Sequence, residues 1–487
     1  MRRTLCFFCC LLCLPSFFLF AAAGTDAQAY SYPEPEVLQI DLIMQPSRYL
    51  RMIHSAEKQK YPAVVCIDDG DPQPVGVQVR GDRSLREGME MYCKRVPLEL
   101  CFDYAGSDGA FRGNPSLKLI NCLTPARLLT QIIAMQTFEY MGIPTPRVTP
   151  AFIRINDTDF GLYLAVEDLN EAFARDRFGS ATLYRPLSAK DDADKRTVVS
   201  FDTIRMVLKV DGGGSALSQY TEAKCSSQNA DMYLDVDEFL RYMACETFIM
   251  DDDGFMDSRR NFYLADDHGK LKLLPWDKDN VFSAFEERNS FREFEDRSNP
   301  LFQEMMQNAS YAARYRQYLQ MLVDAFLDPD AFLPWLDTYI RALEPYFRRD
   351  GTIARYADDV IAELTTGNAL FNTMSGNLML TFRTFHDQAD AQLRGTAAGF
   401  SVPQDMTLAS YSVLSGDKQD EWGTDRSVIF RVCAGYWRLR RQALFDNEGK
   451  ATLAISLFFA LVFAATLICV YHPAAPRRRK KIHEEEH

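Results

Sequence analysis

The chain has 487 residues, 47% hydrophobic, 12% aromatic and 25% charged, with a formal net charge of −13. That composition is globular and excludes the disordered, collagenous and disulfide-scaffold classes. Residues 30–450 carry 47 basic and 63 acidic side chains, so no nucleic-acid partner is expected, whereas basic protein substrates and divalent cations are compatible with the charge.

In chain order, Met1-Arg2-Arg3 and the apolar run from Leu5 to Ala23 precede Ala27-Gln28-Ala29. This is the pattern of a secretory signal peptide over 1–29, cleaved after about Ala29. From 37 to 103 the sequence reads as strands. Val75-Gly-Val-Gln-Val-Arg80 and Val96-Pro-Leu-Glu-Leu-Cys-Phe102 alternate, with the polar turn Arg80-Gly81-Asp82-Arg83-Ser84 between them. Leu128, Leu129, Ile132, Ile133, Met135 and Phe138 recur at helical spacing, and Gly142 and Pro144 end that helix. Strands follow over Ala151–Ile155 and Gly161–Val166, joined by the turn Asn156-Asp-Thr-Asp159.

Residues 186–230 are polar, contain Gly212-Gly213-Gly214 and read as a loop-rich connection. Asp235-x-x-Glu238 is a capping box for a helix through Val236, Phe239, Leu240, Met243 and Phe248. From 300 to 445 the pattern is mostly helical. Ala451 to Tyr471 is uncharged and long enough to span a bilayer, and Arg477-Arg-Arg-Lys-Lys481 marks the cytoplasmic side. The expected protein is a single-pass membrane protein with its body outside the cytoplasm and the basic tail 472–487 inside. Strands before helices give an α+β fold with a sheet-rich N-lobe over 30–185 and a helix-rich C-lobe over 186–450. Seven cysteines fall in the body, none as a C-x-x-C pair, and histidines are few there, so a structural zinc site is not expected. Cys93 and Cys101 would share one strand face, as core packing or as a disulfide.

The chemistry concentrates in 251–285. Phe262–Ala265 and Lys270–Leu274 flank a turn ending at Gly269, a β-hairpin signal. With Asp266–Gly269 as the loop, Ala265 pairs with Lys270, Asn261 faces Leu274 and Ser258 faces Asp277. This register gathers Asp257, Asn261, Asp277 and Asp279 at one open end. Lys278 alternates to the opposite face, so its loss is expected to matter little. Crowded carboxylates raise one another's pKa unless a cation sits among them. Mg²⁺ or Mn²⁺ takes oxygen ligands and shares them with phosphates. The order also follows a kinase catalytic segment, where an Asp-x-x-x-x-Asn loop enters a hairpin with a metal-binding Asp beyond it. From Asp257 to Asn261 that spacing is one residue short, and from Asp253 it is too long.

Over roughly 75–285 the chain resembles the spore-coat protein H (CotH) kinase family. The resemblance rests on Val77-Gln-Val-Arg80-Gly81-Asp82-Arg83-Ser84, Leu117-Lys118-Leu119, Tyr140-Met141-Gly142-Ile-Pro-Thr-Pro, Ile153-Arg-Ile-Asn156…Gly161-Leu-Tyr163…Glu167, Leu183-Tyr184-Arg185, Asp253-Gly254-Phe255, Asn261-Phe-Tyr-Leu and Pro275-Trp276-Asp277-Lys-Asp279. Each motif is short; their order is specific. The resemblance implies an atypical bilobal protein-kinase-like fold that moves phosphate from ATP to Ser or Thr of a protein, with Mg²⁺ or Mn²⁺. It implies that Asp277 is the main metal ligand, assisted by Asp279 and Asn261, and that Asp253 or Asp257 orients the acceptor hydroxyl. Arg80, Gly81 and Ser84 would lie over the phosphates, and Glu167 would pair with a phosphate-binding lysine, Lys94 or Lys118. The sequence departs from the family pattern at Thr124-Pro125, where the family has Asp, and at Lys94-Arg95, where it has Lys-Lys. The alternative reading is a surface binding or structural protein with the same fold and a silent site.

Overall fold

The computed structural model describes residues 30–55, 59–81, 84–85, 95–122, 125–188, 198–223, 230–282, 299–351, 353–354, 357–365 and 378–395. The expected signal peptide, the apolar run 451–471 and the basic tail lie outside them, as do Lys94 and Cys93. Among the described residues, no helix is long and apolar enough to cross a membrane.

Seven strands close into a barrel in the order β1-β2-β3-β4-β5-β7-β6. They are β1 (Leu38–Ile43), β2 (Tyr61–Ile67), β3 (Gln73–Val79), β4 (Leu98–Cys101), β5 (Ser116–Ile120), β6 (Val148–Ile155) and β7 (Thr158–Glu167). Neighbours are antiparallel except β1 and β6, which run parallel and close the circle. Strict alternation sends Val75, Val77, Val79, Leu98, Leu100, Leu117 and Leu119 into the barrel core. Asn156 and Asp157 both adopt positive φ (50° and 62°) and form a two-residue turn between β6 and β7; it is tighter than the expected turn over 156–159, because Thr158 and Asp159 pair with Ile155 and Arg154.

A second, five-stranded sheet has the order β12-β11-β8-β10-β9. It contains β8 (Thr182–Pro186), β9 (Val198–Phe201), β10 (Ile204–Val210), β11 (Phe262–Asp267) and β12 (Lys270–Pro275). The expected loop-rich connection over 186–230 is therefore partly wrong. Ile204, Met206 and Val210 of β10 are buried, with Arg205 and Lys209 exposed between them, so the strand keeps a half-exposed alternation inside a segment whose overall polarity suggested a loop. β8, which straddles the expected lobe boundary at 185/186, pairs with β10 and β11.

The helices are α1 (Pro46–Ser55), α2 (Pro125–Tyr140), α3 (Glu171–Phe178), α4 (Ala216–Glu222), α5 (Ala230–Tyr233), α6 (Val236–Phe248), α7 (Pro300–Met306), α8 (Ala309–Met321), α9 (Pro329–Phe347), α10 (Ala357–Thr365) and α11 (Leu378–Leu393). The fold is thus mixed α+β, sheet-rich towards the N-terminus with helices after it. α6 starts where the capping box was expected: Asp235 accepts from the Glu238 backbone N–H at 3.2 Å. Glu238 does not complete the box, because its Oε2 accepts from the Leu273 N–H of β12 instead. One large core joins α2, α6, the second sheet and the C-terminal helices, so the hairpin β11–β12 is seated on a rigid base.

Candidate active site between the barrel and the hairpin

The barrel's outer face carries a polar row. Register pairs Gln78 with Glu99, Glu99 with Lys118 and Lys118 with Val166. All four point away from the apolar barrel core, because their neighbours along each strand point into it. Glu99 accepts from Gln78 Nε2 at 2.8 Å and from Ser116 Oγ at 2.9 Å. Burial alone would raise its pKa; Lys118, Gln78, Arg80 and Ser116 together hold it below the usual value. Arg80 follows β3, two residues beyond Gln78. Burial lowers its pKa, with Asp277 and Glu99 pulling the other way. Its Nη1 is buried with no hydrogen-bond partner among the described residues.

Trp276, at the end of β12, meets this row. Lys118 Nζ lies 4.8 Å and the Arg80 guanidinium 5.9 Å from its ring centroid, a cation–π arrangement. Tyr263 packs edge-on at 5.5 Å. Burial, reinforced by Arg80, pushes the Lys118 pKa well down. Asp277 comes next, at φ 51° and open to solvent, though protein crowds around it. That crowding raises its carboxyl pKa; Arg80 opposes the rise and the Asp253 carboxylate adds to it. Asp253 in turn accepts from Asn261 Nδ2 at 3.0 Å and is ion-paired with Arg260. Cationic side chains on the barrel therefore face acidic ones at the open end of the hairpin.

A scan of the chain against models of protein families matches one described as CotH kinase protein over residues 77–366. The chain belongs to the CotH kinase family. The matched stretch runs beyond 285 into α10, further than the motifs in the sequence reach. A relative in Bacillus subtilis (strain 168), an inner spore coat protein H, is 22% identical over 191 residues, 35% of this chain and 50% of that protein. The chain thus spans about half the length of the curated relative it matches.

In this CotH-family chain, the hairpin register differs from the expected one. Asp267 pairs with Lys270, Ala265 with Lys272 and Tyr263 with Leu274, and the Trp276 N–H donates to the Asn261 carbonyl at 3.3 Å. The loop is the two-residue turn His268-Gly269, both at positive φ. Asp266 looks like a loop residue in sequence. In the fold it is a buried strand residue that accepts from the Ala216 and Gly269 N–H groups. The two-residue shift places Asn261 beside Trp276 and next to Asp277. Asp253, rather than Asp257, is the carboxylate bonded to Asn261 and acting on Asp277. Asp257 is half-buried in the same turn. Asp279 is half-buried and near enough to Cys122 to help raise its thiol pKa.

The expected pairing of Glu167 with Lys118 is not formed. Lys118 is ion-paired with Asp168. Since Lys118 lies opposite Val166, the residue two further on, Asp168, shares its face, and Glu167 points to the other side. There Glu167 accepts from the Arg147 N–H at 3.0 Å and from Arg177 Nη2 at 3.1 Å. Gly81 adopts φ 71° and a Cβ there would come within 2.5 Å of Ser84 Oγ, so the turn beside Arg80 is built for glycine. Lys94 lies outside the described residues.

Lys278 corrects another expectation. It is fully buried, with Nζ 2.7 Å from Glu246 Oε1 and 2.6 Å from Asp251 Oδ2. Asp277 is at positive φ, so simple strand alternation does not carry past it. The sequence signal for Glu246 is faint: an acidic residue in the apolar C-terminal half of α6. Burial pushes the Asp251 pKa up to about 6 against the pull of Lys278.

Among the described residues, no three His, Cys, Asp or Glu side chains gather into a ready-made metal cage. Mg²⁺ commonly takes one or two carboxylates and completes its shell with water and phosphate. Asp277 with Asp253 and Asn261 offers oxygen donors of that kind, and the unpartnered Arg80 nitrogen suits the phosphate side.

Proposed function

We propose that this chain is an atypical protein kinase of the CotH type, transferring the ATP γ-phosphate to a Ser or Thr hydroxyl of a protein substrate. The observation that carries this reading is the pairing of Arg80 and Lys118 around Trp276 with Asp277 directly after it. Family membership supports it.

In this reading Arg80 and Lys118 bind the polyphosphate. Gly81 keeps the turn close, and the unpartnered Arg80 nitrogen donates to a phosphate oxygen. Asp277 would hold Mg²⁺ or Mn²⁺ with help from Asn261 and Asp279, and the metal supplies charge neutralisation on the phosphates. Asp253, fixed by Asn261, orients the acceptor hydroxyl and takes its proton. The hydroxyl oxygen forms a bond to the γ-phosphorus as the bond to the β–γ bridging oxygen breaks, and ADP leaves. Glu99 favours the charged forms of Arg80 and Lys118, against the burial that lowers the pKa of both. The acidic body favours a basic acceptor. The signal peptide and apolar run read from the sequence support display outside the cytoplasm on a membrane anchor.

The test is transfer of radiolabel from γ-labelled ATP to a basic Ser-rich protein by the full chain, with Mg²⁺ or Mn²⁺ and with chelator. Metal-dependent label on Ser or Thr is expected. Its absence, with ATP and metal still bound, would support a silent binding protein instead.

A further inference from the structure

We infer that the buried cluster Glu246–Lys278–Asp251 is the positioning device of this site, holding the Asp253 turn and the Asp277 loop at a fixed separation; the inference rests on the kinase reading above. Three segments meet in the cluster. Glu246 lies on α6. Its Oε1 accepts from Lys278 Nζ at 2.7 Å, from the Tyr242 hydroxyl at 2.9 Å and from the Phe255 N–H at 3.0 Å, and its Oε2 accepts from the Met256 N–H at 2.8 Å. Asp251 accepts from Lys278 at 2.6 Å and from the Asp253 N–H at 3.0 Å. Every one of these bonds ends on α6, on the turn that carries Asp253, or on the loop that carries Asp277. Lys278 is the covalent neighbour of Asp277, and Asp251 bonds the backbone of Asp253 itself.

The glycine between them fits the same design. A Cβ on Gly254 would lie 2.4 Å from both Asp251 Oδ2 and Glu246 Oε1, so the turn closes onto the two carboxylates only because that residue has no side chain. Backbone strain gathers around it as well. Met250, Asn261 and Asp277 all hold positive φ without being glycine, a cost that persists where the surroundings over-determine the conformation. Stability alone does not call for such a cluster. Burying two carboxylates and an ammonium is often no better than packing apolar side chains of the same volume. What the charges supply here is direction: six hydrogen bonds that an apolar core could not aim. Glu246, Lys278 and Asp251 touch no reacting group, so their role is positioning.

The test uses the full chain and the Mn²⁺–ATP complex as probe. Binding is read from the loss of the free Mn²⁺ EPR signal, with melting temperature read in parallel. Glu246→Gln keeps the shape of the side chain but cannot accept from Lys278 and two backbone N–H groups together. Asp251→Asn is the milder variant, since it leaves the Glu246–Lys278 pair intact. At temperatures where each variant is folded, Mn²⁺–ATP binding should weaken at least about tenfold, the scale for losing a group that orients metal ligands. A merely structural role would lower the melting temperature and leave the affinity of the folded fraction unchanged. If Glu246→Gln fails to fold, Asp251→Asn decides. Wild-type affinity in a folded variant overturns the inference alone. Failure of the wild-type chain to bind Mn²⁺–ATP overturns the kinase reading and the inference with it.

Discussion

Asp350 reaches Arg95 across 255 positions of sequence: its Oδ2 accepts from Arg95 Nη1 at 2.8 Å and from the Leu162 N–H at 2.9 Å, with all three buried. The carboxylate stands just beyond α9 and is pressed against the β6–β7 hairpin. A Cβ on Gly161, at φ 126°, would come within 2.2 Å of it. This clamp joins the helices to the barrel whose outer face carries Arg80 and Lys118. Removing one partner of a buried pair leaves the other charge uncompensated, which costs about 3–5 kcal/mol. Asp350→Ala should therefore lower unfolding stability by about that amount in urea titration. Gly161→Ala should be destabilising as well, because it meets the carboxylate and holds a backbone angle that side chains rarely adopt. An Asp350→Ala chain as stable as wild type would refute the clamp.

Glu238 gives a pH prediction. It is buried, its Oε1 has no partner among the described residues, and burial pushes its pKa well above the usual value despite the bond from the Leu273 N–H. A carboxyl with a raised folded-state pKa binds its proton more tightly in the folded state. Its contribution is complete below the unfolded pKa, near 4.5, and is lost as pH rises towards the folded value. Glu238→Gln keeps the acceptor for Leu273 and does not titrate. Relative to wild type it should gain stability with rising pH, by up to about 1.4 kcal/mol per unit above pH 5. A stability difference that stays flat between pH 5 and 7 would count against the buried acid.

β3 and β4 were readable because apolar and polar residues alternate along them. Val75, Val77 and Val79 alternate with Gly76, Gln78 and Arg80, and the fold keeps that alternation. β10 carries its own alternation, with Ile204, Met206 and Val210 buried and Arg205 and Lys209 exposed, but it lies in a polar segment with Gly212-Gly213-Gly214 close behind it. The hairpin itself was legible, but its register was not. Asp266 and Asp267 have poor strand propensity, and only tertiary partners, the Ala216 N–H for Asp266 and Lys272 for Asp267, make them strand residues. Asp277, Asn261 and Arg80 stood out by motif order. Glu99, Asp168 and Glu246 did not, since each acts through a neighbour that only the folded register brings close. Lys278 was misread because strand alternation was carried past the end of the strand, into a residue with positive φ.

Topology can be tested directly. The expected signal peptide and the basic tail Arg477–Lys481 predict an exposed body and a cytoplasmic C-terminus. Protease added to intact cells should remove the body and spare a tag placed after His487. A body that resists protease until the cells are opened would reverse the orientation.

The sharpest prediction concerns Asp277. Its φ of 51° suits Asn better than Ala, so Asp277→Asn keeps size, shape and backbone while removing one negative charge. Folding should survive. The carboxyl pKa is already raised, by crowding and by Asp253, so losing the charge relieves repulsion and leaves Lys278 bonded to Glu246 and Asp251. Phosphoryl transfer should fall at least ~10²-fold, the scale for removing one preorganised electrostatic group. Asp279→Asn should lose less, as a secondary ligand. The measurement is metal-dependent transfer rate beside circular dichroism and melting temperature for each variant. Folded Asp277→Asn with the wild-type rate would remove the carboxylate next to Trp276 from the mechanism, and with it the argument that Arg80 and Lys118 are set there to meet a metal-bound phosphate.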